Sequence, residues 1–324
     1  MKSVNLIGIG RHAKLNIIPA LQHLGVTIES VTTHSKEKAL LEMQRCGIVA
    51  DVYDDIDVML NESKSEYVIV VVPMEEASSC IIRCLEKGKK VFTEKPCGLD
   101  NKQAQAIYNC SRDTHIPVFT GYMKRYAPVY TMMKEHIKKA DMGLVRSFNA
   151  HFNVDASAFC KTDKDFMFAV ASHYLDLIQF LFEDIQDIHA IKNTQGKGVS
   201  YILTMVMSNG IIGTLSLENR APWTRESEGI TCTMDGGFIQ SNELNEFILH
   251  KNCLDNDWKT LSEQDLVYKE NYSPASGTLK DLYLRGFVQE IEAFINDEIQ
   301  DIDNNIKLTL VLENIIQELK NGDH

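Results

Sequence analysis

The motif with the clearest chemical meaning is a glycine-rich turn near the N-terminus, residues 8–13 with the sequence GIGRHA. It lies between an apolar segment and a segment of helical periodicity, which is the GxGxxA pattern of a strand–turn–helix that binds a pyrophosphate. Gly8 would allow a tight turn, Gly10 would let the backbone approach the phosphates, and Ala13 would allow close helix–strand packing. A purely structural turn is the alternative. The residues expected to bind a dinucleotide here are Gly8, Gly10, Arg11, His12 and Ala13.

The segment after the second predicted strand bears on which dinucleotide is bound. An NAD site carries a carboxylate there, which accepts hydrogen bonds from the ribose hydroxyls. This chain instead has Thr33, His34, Ser35 and Lys36, and no acid occurs before Glu37. Hydroxyls, an imidazole and an ammonium group suit a 2′-phosphate, which a carboxylate would repel. We therefore expect NADP, with NAD as the other possibility, because the same residues would also suit a polar loop in which Ser35 caps the next helix.

A lysine at the end of another predicted strand is the first candidate catalytic residue. Lys95 lies in Glu94-Lys95-Pro96, after the strand-like segment 90–92, and ligands of open α/β sheets collect at such carboxyl ends. A lysine desolvated beside a nicotinamide has a lowered pKa and can polarise or protonate a substrate oxygen. Pro96 would restrict Lys95 to an extended conformation. The motif alone is also typical of a surface loop, and the glycine turn upstream favours the catalytic interpretation.

The first 121 residues show the alternation of elements that would position these groups. The strand-like segments are 4–9, 26–33, 67–72, 90–92 and 117–120, and the helical ones are 14–24, 36–46, 75–87 and 101–113. Such alternation is typical of a parallel, doubly wound sheet with right-handed crossovers. We expect residues 1–121 to form an α/β domain of the Rossmann type that binds the dinucleotide.

Residues 122–324 show a different pattern, which predicts a second domain of the α+β class. Helical stretches at 128–139 and 170–182 accompany strand-like segments at 145–153, 187–192, 199–207, 211–218, 229–234 and 237–249. Several of these are joined by turn sequences, so a large, mostly antiparallel sheet is expected. Helical patterns at 279–297 and 305–319 close the chain.

The composition argues against several classes of partner. The 33 Lys and Arg against 45 Asp and Glu give a net charge of −12, which disfavours nucleic acid and anionic membranes. The apolar run at 67–73 is far below the roughly 20 residues that span a bilayer. The 8 cysteines form no CxxC pair and no signal peptide is evident, so we expect reduced thiols, no metal site and a cytoplasmic location.

Ordered segments along nearly the whole chain resemble the glucose–fructose oxidoreductase and inositol dehydrogenase family (Gfo/Idh/MocA). These segments are IGIGRHAKLNIIPAL, SKEKA, VVVP, GKKVFTEKP, GYMKRYAPVY, SHYLDLIQFL and FVQEIEAFIND. The resemblance implies an N-terminal Rossmann domain, a C-terminal domain with a large open sheet, and homo-oligomers (dimers or tetramers) assembled through that sheet. It also implies hydride transfer between a nicotinamide cofactor and a sugar, cyclitol or sugar derivative.

The resemblance also implies roles for individual residues. Lys95 matches the lysine of the family's EKP motif, which contacts the nicotinamide ribose region and the substrate. His173 matches the histidine of a DxGxHxxD motif, which binds or deprotonates the reacting hydroxyl, and Asp176 matches its last, supporting acid. Tyr122 and Arg125 match a segment that lines the substrate cleft. The remaining residues expected at the cofactor are Val72, Pro73 and Glu94.

The sequence departs from the family pattern at two places. Residues 169–173 read AVASH where the motif reads DxGxH, and residues 73–77 read PMEEA where the family has PNxxH. Without the first acid, the arrangement for abstracting an alcohol proton is incomplete unless Asp155, Asp163 or Asp165 replaces it. If NADPH is the cofactor, we expect reduction of a ketone or imine, and the missing acid at 169 fits that direction because reduction needs a proton donor more than a strong base.

Several alternatives stay open at this point. His173 could be a hydrogen-bonded core histidine of an apolar helix. The scaffold could reduce a non-sugar C=N or C=C bond, or it could be a dinucleotide-binding regulatory protein without turnover. Arg220, Trp223 and Arg225 could hold a phosphate or carboxylate of a ligand, or they could form a solvated loop.

Overall fold

The protein, seen in a computed structural model, consists of two compact units. The structure describes residues 2–220, 226–252, 265–270 and 278–321. The first unit joins the chain up to Met123 with Thr278–Leu310, and the second takes the chain between them together with the residues from Val311 onward. The sequence placed all of 122–324 in the second domain, so the return of 278–310 to the first unit is a correction.

The first unit contains a six-stranded parallel sheet with helices between the strands. Its elements up to the end of the sheet are β1 Ser3–Ile7, a π-helical turn Ala13–Ile17, α1 Ile18–His23, β2 Thr27–Thr32, α2 Lys36–Cys46, β3 Asp51–Tyr53, α3 Ile56–Glu62, β4 Tyr67–Val70, α4 Met74–Glu86, β5 Lys90–Glu94, α5 Asn101–Thr114 and β6 Val118–Gly121. The strand order is β3-β2-β1-β4-β5-β6, which reverses between β1 and β4. A ligand of such a sheet binds at that reversal, beyond the carboxyl ends of the strands.

The parallel sheet confirms the fold class that the sequence predicts. All four residues of β4 are buried, because helices cover both faces of the sheet and a continuous apolar run then suits a strand. The sequence missed β3 and α3. β3 has only three residues and none of them is buried, so it lacks the apolar run by which a strand is recognised.

The second unit is built around an eight-stranded sheet. Its elements are a 3₁₀ turn Met123–Tyr126 at the boundary, α6 Pro128–Lys139, β7 Val145–Asn153, α7 Asp163–Phe166, a π-helical turn Met167–Ala171, α8 Ser172–Phe182, β8 Ile185–Asn193, β9 Ser200–Met207, β10 Ile212–Glu218, β11 Ser227–Met234, β12 Gly237–Asn242, β13 Glu246–Lys251 and β14 Leu266–Lys269. The order is β14-β13-β12-β11-β7-β10-β9-β8. Every pair is antiparallel except β7 with β10, which run parallel. This confirms the predicted, mostly antiparallel sheet.

The strand predicted at 237–249 is two strands, because the chain turns back between β12 and β13. Glu243 has a φ of 55° at this turn, a left-handed conformation that ends a strand. β14 was not predicted, and its four residues are all exposed, so they show no alternation of buried and exposed positions.

The chain closes with α9 Thr278–Arg285, α10 Phe287–Ile295 and α11 Asp303–Asn321. The helix predicted at 279–297 is broken at Gly286, whose φ of 91° suits glycine and ends a right-handed helix. α10 is buried along most of its length, and Phe294 makes ring contacts with Phe92 and Phe119 of the parallel sheet. This apolar packing is why 278–310 belongs to the first unit. No helix within the described ranges is both long and apolar enough to cross a membrane.

Candidate functional site

The first unit contains a cleft of about 510 Å³ beyond the carboxyl ends of β1, β2 and β4. Six of the residues predicted to bind the cofactor line it: Gly8, Gly10, Thr33, His34, Val72 and Pro73. The cleft therefore lies where the strand order reverses, which is the ligand position of a doubly wound sheet. Its other polar lining residues are Lys14, Thr32, Lys38, Glu42, Asp54, Asp55, Glu76 and Arg83.

The two glycines of the turn are required for different reasons. Gly8 has a φ of 91°, and a Cβ on it would lie 2.2 Å from the carbonyl oxygen of Val71. A Cβ on Gly10 would have no protein atom within 4 Å, although Gly10 lines the cleft. The protein's own packing therefore explains Gly8 and not Gly10. The open space at Gly10 fits a ligand that must approach the backbone closely, as a pyrophosphate does.

The residues after β2 divide between the cleft and the next helix. Thr33 and His34 line the cleft, and His34 Nε2 lies 3.0 Å from Glu76 Oε2. Ser35 is the N-cap of α2, since its Oγ accepts a hydrogen bond from the Lys38 N–H. Ser35 and Lys36 are not among the residues that line the cleft, whereas Lys38 is. The capping alternative for Ser35 is thus the one seen in the structure.

Sequence reasoning missed the charged residues at the same end of the cleft. Lys14 Nζ donates to Glu42 Oε2 over 2.6 Å, and this carboxylate also contacts Arg45. The two cations hold the pKa of Glu42 below its ordinary value. Arg83 is paired with Asp57 of α3. Lys14 directly follows the GxGxxA motif, and Lys38 and Glu42 lie four residues apart on α2, which is the spacing that could have identified this face.

A chain of side-chain hydrogen bonds connects the glycine turn to the end of β5. His12 Nε2 donates to Glu94 Oε1 over 2.8 Å, and His12 Nδ1 accepts from Asn16 Nδ2 over 3.1 Å. These partners assign a proton to Nε2 of the ring. Lys95 follows Glu94 directly and is half-buried. Two predicted residues, His12 and Glu94, thus meet beside the candidate catalytic lysine, while the neighbouring Arg11 is exposed.

In the second unit, Arg125 and Asp176 form a buried ion pair with two hydrogen bonds. Arg125 Nε donates to Asp176 Oδ2 over 2.7 Å, and a guanidinium Nη donates to Oδ1. Burial raises the pKa of Asp176, and the Arg125 charge opposes that rise. The pair holds α8 to the 3₁₀ turn, which agrees with a supporting role for Asp176. The other predicted residue of that turn segment, Tyr122, is buried and belongs to the first unit.

His173 lies in the first turn of α8, next to a buried polar cluster that sequence reasoning missed. Glu228 of β11 accepts hydrogen bonds from Lys124 Nζ at 2.6 Å and from the hydroxyls of Tyr130 and Tyr174, both at 2.9 Å. Burial beside the Glu228 carboxylate raises the pKa of both tyrosines. The cluster fixes the helix that carries His173, which is itself half-buried. Its members come from distant parts of the chain, so no local spacing reveals it.

Ala169, where the family motif has an acid, lies in the π-helical turn before α8. The three acids that could replace it all take part in local structure. Asp155 accepts from Ser157, Asp165 completes the capping box of α7, and Asp163 accepts from Tyr201 and Lys192. Each acid is therefore held by a structural contact.

The basic segment at 220–225 is described only at its first residue. Arg220 donates to the carbonyl oxygen of Lys197, while Trp223 and Arg225 lie outside the described residues. Of the predicted substrate and catalytic residues, Lys95 and Tyr122 belong to the first unit, and Arg125, His173 and Asp176 to the second.

The reversal of strand order, the glycine turn and the cleft beyond it define a Rossmann-type dinucleotide-binding domain. Residues 2–122 match GFO_IDH_MocA, described as an oxidoreductase family with an NAD-binding Rossmann fold. The match covers somewhat more than a third of the 324 residues and coincides with the predicted dinucleotide-binding domain. This agrees with the resemblance that the ordered sequence segments show.

Individual relatives are similar over part or most of the chain. The chain is 25% identical over 183 residues to scyllo-inositol 2-dehydrogenase (NAD(+)) of Bacillus subtilis, covering 54% of this chain and 52% of that protein. It is 23% identical over 301 residues to inositol 2-dehydrogenase of Klebsiella pneumoniae, covering 91% of this chain and 85% of that protein. The chain spans about half the length of the first curated relatives it matches.

The fold is shared with solved structures at low sequence identity. The structure of levoglucosan dehydrogenase in complex with NADH and levoglucosan superposes with a TM-score of 0.83 at 15% identity, covering 99% of this chain and 97% of that chain. At this identity the likeness shows the fold alone, and the activity has to be argued from the residues.

Proposed function

We propose that the protein is an NAD(P)-dependent oxidoreductase, which moves a hydride between a nicotinamide cofactor and a carbon of a sugar, a cyclitol or a related compound. The observation that carries this proposal is the cleft at the reversal of strand order, where Gly10 leaves open space beside the backbone. Inositol 2-dehydrogenase and levoglucosan dehydrogenase are among the proteins it resembles, which supports the substrate class. A bound nicotinamide dinucleotide would supply or accept the hydride.

The chain's own residues divide the remaining work. Backbone N–H groups at the start of the π-helical turn, together with Gly8 and Gly10, would hold the pyrophosphate. Lys95, half-buried at the end of β5, would polarise a carbonyl oxygen or give it a proton. His173 would bind the reacting oxygen or exchange its proton. Asp176 positions α8 through its pair with Arg125.

Within this proposal the cofactor is NADP(H) and the direction is reduction. The end of β2 presents a hydroxyl from Thr33 and an imidazole from His34, and Lys38 lines the same cleft. Glu42, the nearby acid of α2, is paired with Lys14 and Arg45, so its charge is already compensated. Ala169 supports reduction because the acid that would complete an alcohol-deprotonating arrangement is missing.

The proposal also includes the setting of the protein. The seven described cysteines are free, which supports the cytoplasm as its location. The exposed face of the eight-stranded sheet supports a homo-oligomer, a dimer or a tetramer. The expected partner in the cell is a small-molecule substrate, and we expect binding to neither nucleic acid nor a membrane.

A fluorescence titration with NADPH and NADH tests the cofactor site directly. We expect the wild type to bind NADPH more tightly, and Thr33→Asp to reverse the preference by repelling a 2′-phosphate. Thr27→Asp, an exposed position at the opposite end of β2, is the matched control and should leave the preference unchanged. Failure of the wild type to bind either dinucleotide would overturn the enzymatic proposal, and tighter NADH binding would overturn the NADP(H) preference.

Turnover of a panel of ketoses, inososes and imines with NADPH tests the chemistry. Lys95→Met should lower kcat by about 10²-fold or more, in the range of a lost acid–base group, while leaving dinucleotide affinity within a few-fold. Full turnover by this variant would remove Lys95 from the chemical step.

A further inference from the structure

A buried acid that the proposed function does not use lies in α10. The side chain of Glu290 is 0% exposed, and neither of its carboxyl oxygens has a hydrogen-bond partner among the described residues. Its helix neighbours Phe287, Ile291 and Phe294 are buried apolar side chains. An ionised carboxylate without hydrogen bonds is strongly disfavoured in such surroundings. The side chain therefore belongs there as a neutral acid.

The charges around Glu290 come from the elements that pack against α10. Burial raises the pKa of Glu290 well above its ordinary value, the Glu94 charge raises it further, and the Arg285 charge of α9 opposes the rise. Other charged groups on the neighbouring helices have partners of their own. Lys14 is paired with Glu42, and Asp281 is paired with Arg285.

Glu94 is also the last acceptor in a chain of donors. Arg285 donates to Asn16 Oδ1 over 3.4 Å, Asn16 Nδ2 donates to His12 Nδ1, and His12 Nε2 donates to Glu94 Oε1. His12 also packs edge-on against Phe287, three residues before Glu290. Each donor in this chain points towards Glu94, so the chain of hydrogen bonds ends on the Glu94 carboxyl group, which serves as the acceptor for His12.

We propose that Glu290 is a positioning residue of the dinucleotide site, which keeps its proton so that Glu94 alone carries the negative charge of the pair and holds His12 of the glycine turn. The part of this proposal that concerns the cofactor rests on the proposed function. If Glu290 lost its proton, two carboxylates would repel each other in a buried position, and Glu94 would be displaced from His12. The glycine turn and the residue before Lys95 would then lose their connection.

The protonation state can be tested on the protein without cofactor. Glu290→Gln keeps the size and polarity of the side chain and cannot ionise, and Glu292→Gln on the exposed side of the same helix is the matched control. Because the pKa of folded Glu290 lies above its ordinary 4.5, the wild type loses stability relative to Glu290→Gln as the pH rises. We therefore expect the Tm of Glu290→Gln to gain on the wild type between about pH 5 and pH 9, while Glu292→Gln runs parallel to it. Parallel curves of Tm against pH for Glu290→Gln and the wild type would show that Glu290 is not a neutral acid in the folded protein.

The positioning role is tested by dinucleotide affinity over the same pH range. The wild type should lose about tenfold in affinity for NADPH or NADH towards the alkaline end, as like charges of this kind disturb a site by about one pKa unit or more, and Glu290→Gln should keep its affinity. An equal alkaline loss in both proteins would overturn the positioning role. If the wild type binds no dinucleotide at any pH, the proposed function and this positioning role both fail. The Tm comparison then still shows whether Glu290 carries a proton in the folded protein.

Discussion

At the scale of single residues, Gly8 and Gly10 show how a shared motif serves two purposes. Gly10→Ala adds a methyl group where no protein atom lies within 4 Å, so folding stability should change little. The same methyl group would enter the cleft that Gly10 lines, and dinucleotide affinity should fall about tenfold or more because the pyrophosphate needs close approach to the backbone. Calorimetric titration with NADPH, together with urea unfolding of the cofactor-free protein, measures the two effects separately.

Gly8→Ala is the contrasting variant. Its Cβ would lie 2.2 Å from the carbonyl oxygen of Val71, at a φ of 91°, so it should destabilise the first unit by about 2 kcal/mol or more. Equal destabilisation by the two alanine variants, or unchanged affinity in Gly10→Ala, would contradict the division of roles.

The Arg125–Asp176 pair gives a prediction that depends on pH. Arg125→Met removes the counter-charge of a buried carboxylate, which should lower the free energy of unfolding by about 3 kcal/mol. Without the arginine the pKa of Asp176 rises further, so the loss should be larger at about pH 8 than at about pH 5, where a neutral acid is more easily formed. Urea unfolding of the wild type and Arg125→Met at both pH values measures this loss of unfolding free energy.

The double variant Arg125→Met, Asp176→Asn is the control for that prediction. It removes both charges, so its stability relative to the wild type should vary much less between the two pH values. A loss in Arg125→Met that does not depend on pH would mean that the arginine acts through packing alone.

The sequence predicts the residues of this protein that belong to a local motif. Gly8, Gly10 and Thr33 were predicted and line the cleft. Glu228 and Glu290 were not predicted, because each acts through partners far away in the chain. Their chemistry arises from burial, which the identity of neighbouring residues in the sequence does not reveal.

At the scale of elements, Ser35 shows whether a residue after β2 serves to cap a helix or to bind the cofactor. The hydroxyl caps α2, so Ser35→Ala should lower the free energy of unfolding by about 1 kcal/mol, and Ser35→Asp should largely restore it because aspartate also caps. If Ser35 acts only as a cap, neither variant should change the ratio of NADPH to NADH affinity by more than about twofold, which is a few tenths of a kcal/mol. Chemical denaturation and cofactor titration of both variants provide the measurements.

A selective loss of NADPH affinity in Ser35→Asp would contradict this prediction. It would show that the side chain faces the 2′-phosphate in spite of its position at the start of α2. The Thr33→Asp variant provides the reference for the size of such a loss.

Elements with strong periodicity were predicted and those defined by a single turn were not. β4 and α4 follow from an apolar run and a helical repeat, which burial on a sheet imposes on the sequence. The break at Gly286 and the turn at Glu243 depend on backbone conformations with positive φ. A glycine within a helical pattern is compatible with both a continuous and a broken helix, so packing in the folded chain decides between them.

At the scale of the whole molecule, the order of the chain does not match its division into units. The sequence pattern placed the end of the parallel sheet at Gly121, where β6 ends and the alternation of strands and helices stops. It did not show that Thr278–Leu310 returns to the first unit. The apolar residues of α10 need a partner surface, and they would suit a core in either unit, so only the tertiary structure assigns them.

The exposed face of the eight-stranded sheet gives the prediction about assembly. Ile202 and Val206 of β9 are 38% and 37% exposed, and each lies opposite another exposed isoleucine, Ile191 of β8 and Ile212 of β10. A run of apolar side chains on one open sheet face is typical of a surface that another copy covers. If this face is the proposed interface, the wild type should sediment as a dimer or tetramer, and Val206→Glu with Ile212→Glu should reduce it to a monomer of 36.7 kDa in sedimentation velocity. Val49→Glu, at a 96% exposed position of the first unit, should leave the assembly intact. A wild type that sediments as a monomer, or a double variant that keeps the wild-type mass, would show that this face is not the interface.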